Sequence, residues 1–99
     1  MILVRDVFQL KMGKAKEAIA LWKEAVPMFE QLGAKKESMR VLTDLVGNYY
    51  TLVFEMTHDS LAAWEQSGKH MATPQWQAWH AKMLPLTERG HREIFNVVQ

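Results

Sequence analysis

A chain of 99 residues with four Trp, four Phe and two Tyr, 48% hydrophobic overall, can pack one core and leaves little room for a second domain. A formal charge of +1 leaves no excess for nucleic acid or an acidic membrane. The absence of cysteine excludes disulfides, thiolate metal sites and thiol nucleophiles.

Met1 to Leu10 is β-branched and aromatic enough for a strand, with no leader pattern before it and no apolar run near the roughly 20 residues a bilayer span needs. A soluble cytoplasmic protein is expected. The strand's faces would be Ile2, Val4, Asp6, Phe8, Leu10 and Leu3, Arg5, Val7, Gln9. Both are mixed, as on a strand covered from both sides.

From Lys14 to Leu32 the period becomes helical: Ala15, Ala18, Ile19, Trp22, Ala25, Val26, Phe29 and Leu32 form one stripe. Pro27 should bend this helix and Gly33 should end it.

Val46 to Met56 is the most β-rich run. With Gly47-Asn48 as a two-residue turn, it pairs backwards with Met39 to Leu45 so that partner numbers sum to 95. One hairpin face then carries Leu45 with Tyr50, Thr43 with Leu52, Val41 with Phe54, and Met39 with Met56. The other carries Val46 with Tyr49, Asp44 with Thr51, Leu42 with Val53, and Arg40 with Glu55, an opposite-charge pair.

Asp59 or Ser60 can cap a helix beginning at Leu61, which Gly68 and then Thr73-Pro74 interrupt. Thr73 as N-cap and Pro74 at N1 restart it, to about Arg89, with Trp76, Trp79, His80 and Met83 facing inward and Pro85 distorting the end. Gly90 should stop it before a last strand from Arg92 to Val98. The order βαββαβ predicts an α+β, ferredoxin-like domain spanning residues 1–99: a four-stranded antiparallel sheet, first and third strands central, both helices on one face.

Helices on one face leave the other bare. Leu3, Val7, Leu42, Val46, Tyr49 and Val53 should lie there, a patch too apolar to stay wet. Burying about 500 Å² of it would be worth on the order of 12 kcal/mol before entropic costs. A homodimer through this face is expected, with Arg5, Arg40, Asp44 and Glu55 available to fix its register.

Val7-Phe8-Gln9-Leu10-Lys11-Met12-Gly13-Lys14 resembles the strand-end "TYxLKPGK" signature of NIPSNAP-type domains, with Met12 in place of the proline. Leu21-Trp22-Lys23-Glu24-Ala25-Val26-Pro27 resembles their first helix, and Pro74 to Leu86 is similar to their "PEWQxFxxKLxPL" segment. The resemblance spans nearly the whole chain and implies the dimeric α+β barrel superfamily. That superfamily also holds antibiotic-biosynthesis monooxygenases, EthD-like proteins and haem-degrading monooxygenases. It implies no catalytic motif to carry over. It does imply a cavity between sheet and helices, walled here by Tyr50, Phe54, Trp76 and His80.

Aromatic and histidine density around the second helix (His58, Trp64, His70, Trp76, Trp79, His80) marks the same region. A neutral histidine there can shuttle a proton to or from a bound aromatic or carbonyl compound. On that reading His80 acts with Asp6 and Tyr50, while Phe54, Trp64, Trp76 and Trp79 hold a hydrophobic or aromatic molecule, as in a cofactor-independent monooxygenase or isomerase. The plainer reading makes the tryptophans core and the protein a non-catalytic dimerisation or ligand-binding module. Asp6 is anomalous: on the face of Phe8 and Leu10 a carboxylate must be paired or shifted in pKa. Either Asp6 pairs with His80, or the strand twists or bulges so that Asp6 meets water or an arginine. Histidines 12, 10 and 11 residues apart form no metal motif, and where haem degradation would want an asparagine the first strand has Asp6 and Gln9. Neither metal nor cofactor is expected.

Overall fold

The computed structural model describes residues 1–70 and 72–99, with the His70 side chain outside that description. The elements are β1 (Ile2–Leu10), α1 (Ala15–Gln31), β2 (Met39–Thr43), β3 (Thr51–His58), α2 (Leu61–His70), α3 (Pro74–Met83) and β4 (Thr87–Asn96), with 3₁₀ turns at Lys36–Ser38 and Leu84–Leu86. The sheet order is β2-β3-β1-β4, every neighbour antiparallel. This is the expected ferredoxin-like α+β arrangement, with the first and third strands central.

Helix α1 buries Ala18, Trp22 and Ala25 on one stripe and continues through Pro27 without breaking. Gly33 closes it at φ +99°, its N–H donating to the Glu30 carbonyl. Gly68 does not interrupt α2, which reaches His70.

The β2–β3 register is the expected one, from Met39 opposite Met56 to Thr43 opposite Leu52. The connection is not. Instead of a two-residue turn, residues 44–50 form a loop. The Thr51 N–H donates to Asp44 Oδ1 (3.0 Å) and the Asp44 N–H to the Thr51 carbonyl (3.2 Å). Gln9 Nε2 donates to the Tyr49 carbonyl at 2.7 Å, so side chains close the loop where a turn was expected. Leu45 and Tyr50, and Val46 and Tyr49, therefore do not pair.

The C-terminal boundary also differs. Pro85 ends α3 early, in the 3₁₀ turn, and β4 starts at Thr87 with Gly90 inside it. Gly90 is a packing position: a Cβ there would lie 2.7 Å from Phe8 Cδ1.

The helices cover the face bearing Leu10, Leu52, Phe54 and Met39. Trp22 sits at the centre, its ring 5.0 Å from Phe54, 5.2 Å from Phe8 and 4.7 Å from Trp79. Phe29 stacks on Phe54, and Trp76 on Trp79.

Leu3, Arg5, Val7, Leu42, Val53 and Glu55 lie on the other face, outside this core. That face is more polar than expected, because Val46 and Tyr49 sit in the exposed loop. Its charges pair within the chain. Arg40, Glu55, Arg5 and Glu93 stand side by side across all four strands, with contacts of 2.6, 3.5 and 3.3 Å in turn.

Candidate functional site

Between the helix-covered face and the helices lies a cleft of about 910 Å³, walled by Phe8, Phe54, Met56, Trp64, Trp76 and Trp79. Its polar lining includes Asp6, His58, His80 and Arg92. Aromatic walls with a few converging polar groups are the usual make-up of a small-molecule site.

Each wall follows from local structure. Ser60 Oγ accepts from the Ala63 N–H at 3.1 Å and starts α2, which carries Trp64. Thr73 Oγ1 accepts from the Trp76 N–H at 3.1 Å with Pro74 at N1, as its sequence predicts. On α3, Trp76 and His80 fall four residues apart, their rings stacked with centroids 6.3 Å apart. Trp79 turns inward and donates from Nε1 to the Leu21 carbonyl at 2.6 Å, fixing α3 to α1.

Asp6 does face the helices. Its partner is Arg92, opposite it on β4, whose Nε donates to Asp6 Oδ1 at 2.6 Å. No Asp6–His80 hydrogen bond or ion pair forms among the described residues; Asp6 meets an arginine, but without a strand twist or bulge turning it away from the helices. The Arg92 guanidinium carbon also stands 5.1 Å from the Trp64 ring centroid, a cation–π contact that ties β4 to α2.

His58, at the end of β3, is half-buried in the cleft wall. Burial lowers its pKa below the ordinary 6.5, against the opposing pull of Asp59. The ring is thus neutral at pH 7 and can donate from one nitrogen and accept at the other. His80 is exposed at the rim. Trp22 Nε1 is buried with no acceptor among the described residues.

Of the residues singled out in the sequence, Asp6, His80, Phe54, Trp64, Trp76 and Trp79 all line this cleft. Tyr50 does not. Its carbonyl accepts from the Leu10 N–H at the far end of β1, and its φ of +60° belongs to the β2–β3 loop. Arg92 was not singled out, because its position opposite Asp6 follows only once β4 begins at Thr87. Among the described residues no three His, Cys, Asp or Glu side chains group as metal ligands.

No protein-family model and no curated protein matches the sequence. Solved structures do. A NIPSNAP domain protein from Burkholderia xenovorans superposes with a TM-score of 0.86 at 20% identity, over 99% of this chain and 95% of its own. The fold is that of the NIPSNAP domain proteins. A NIPSNAP family protein from Agrobacterium tumefaciens gives 0.81 at 19% identity, covering 96% and 90% of the two chains. An antibiotic biosynthesis monooxygenase gives 0.77 at 17% identity over the whole of both. The NIPSNAP-like chain also has, among the described residues, no helix long and apolar enough to cross a membrane.

Proposed function

We propose that this NIPSNAP-like protein is a homodimer that binds a small hydrophobic or aromatic molecule in the cleft between helices and sheet. The observation that carries the reading is a cleft with π-faces on several sides and one fixed polar couple, Asp6–Arg92, in its wall. In the catalytic form of the reading, His80 takes and returns a proton on a bound carbonyl or aromatic compound, in cofactor-independent monooxygenase or isomerase chemistry. Asp6, held by Arg92, orients that compound; Tyr50 has no part in it.

Dimerisation is supported by the bare sheet face. Leu42 and Phe95 are exposed there at 37% and 48%. The order Arg40, Glu55, Arg5, Glu93 alternates in sign, so a two-fold axis through the middle of the row sets each charge against its opposite in the partner.

The second reading, a non-catalytic module with a filled interior, is favoured by the continuous chain of ring contacts Phe8, Trp22, Phe54, Phe29, Trp76 and Trp79. Two measurements test the proposal. Sedimentation should give a dimer that Phe95→Asp converts to monomer; a wild-type monomer at micromolar concentration would sink the dimer. A small-aromatic soak should fill a site beside Trp64 and Trp76, and if none fills, the filled-interior reading stands. Given a substrate, His80→Ala should abolish turnover with little change in melting temperature.

A further inference from the structure

The Asp6–Arg92 couple is only half used. Arg92 Nε and Asp6 Oδ1 engage each other, while Asp6 Oδ2 and both terminal nitrogens of Arg92 have no partner among the described residues. Asp6 is mostly buried and Arg92 half-exposed, with side chains 19% and 52% accessible, so the couple reaches from the cleft wall towards its mouth. The Trp64 ring stands against the guanidinium, 5.1 Å from centroid to its carbon, and helps to seat it. One acceptor and a fork of donors are therefore presented beside each other, already oriented, between aromatic walls.

We propose that this couple is the recognition element for an uncharged planar aromatic bearing adjacent N–H and C=O groups, a lactam or an aryl carboxamide. The ligand's N–H donates to Asp6 Oδ2 and its carbonyl accepts from an Arg92 terminal nitrogen, while its ring lies against the aromatic walls. Charge decides between ligand classes. The couple is neutral as a pair, and of the other charged groups lining the cleft Lys35 is outnumbered by Glu37 and Asp59, so a carboxylate would add a charge with no surplus cation to meet it, at a desolvation cost. A neutral donor–acceptor edge adds none. His58, uncharged through burial, contributes no cation to offset an anion. The inference rests on the aromatic-ligand reading above and adds the polar edge that ligand must carry.

Calorimetric titration of the intact protein with 2-quinolone, 1-methyl-2-quinolone and 2-naphthoate tests it, and the comparison needs no variant. The lactam should bind at least about tenfold more tightly than its N-methyl derivative, and more tightly than the carboxylate, because a blocked N–H leaves the buried acceptor unpaired. The double substitution Asp6→Val with Arg92→Met removes both partners together, leaves no orphaned charge, and should erase the preference while 1-methyl-2-quinolone still binds. Equal binding of lactam and N-methyl lactam, unaltered by the double substitution, overturns the role of the couple and leaves the cleft reading intact. Tightest binding of 2-naphthoate overturns it in favour of anion capture by Arg92. If none of the three binds, the cleft reading falls and this inference with it.

Discussion

Trp79 on α3 donates its indole N–H to the Leu21 carbonyl in the middle of α1, at 2.6 Å. That bond sets the depth at which α3 lies, and so holds Trp76 and His80 at the cleft. Trp79→Phe keeps an aromatic ring but loses the donor and part of the volume, which should cost roughly 1–3 kcal/mol. Urea denaturation at an unchanged slope would measure it. A loss no larger than that of a surface substitution would mean that ring packing alone seats the helix.

Gly90 and Phe8 make a second long-range pair. The Phe8 ring lies over the glycine and against Trp22, 5.2 Å between centroids, so it cannot move aside freely. Gly90→Ala should therefore destabilise by about 1–3 kcal/mol, even though alanine suits a strand better than glycine does. Phe8→Leu in the same chain should relieve part of that cost, giving a non-additive cycle. Strict additivity would show that the two sites do not collide.

These two contacts explain what the sequence made legible and what it did not. The β2–β3 register was readable because Met39, Val41, Leu52, Phe54 and Met56 alternate with the Arg40–Glu55 pair, and a slip by one would bury charge. The loop was not readable, because it is closed by Gln9 from another strand and by the Asp44 carboxylate in place of a local turn. Gly90 looks like a helix stop when only its neighbours are considered. Its reason for being glycine is a phenylalanine 82 positions earlier in the chain. A strand that starts only at Arg92 does not reveal the pairing of Arg92 with Asp6, so Asp6 is legible as an anomaly while its partner is not. The aromatic walls were readable as a set, since helical spacing puts Trp76, Trp79 and His80 on one element.

Glu55 is the most enclosed charge of the row, its side chain 9% accessible between Arg40 and Arg5. Glu55→Gln removes the attraction to both arginines without changing shape. Because those arginines are 67% and 37% accessible, water screens much of the interaction, and a loss of about 1–2 kcal/mol is expected. The difference from wild type should shrink in high salt. A salt-independent difference in urea titrations would assign the effect to hydrogen bonding.

His58 should leave a signature in the dependence of stability on pH. Burial holds its folded-state pKa below the 6.5 it regains on unfolding. Between those two values the unfolded chain binds the proton more readily, so stability is complete above about 6.5 and declines as pH falls towards the folded-state value. His58→Gln keeps a polar side chain with both a donor and an acceptor but cannot titrate. Its unfolding free energy should therefore be flatter than wild type from about pH 7 downwards, until carboxylates begin to protonate in both proteins. Denaturant titrations at half-unit intervals from pH 7.5 to 5 would measure the divergence, with the two curves parallel above pH 7. Stability that rises in wild type as the pH is lowered, relative to His58→Gln, would mean that Asp59 outweighs burial and that the ring is charged in the cleft.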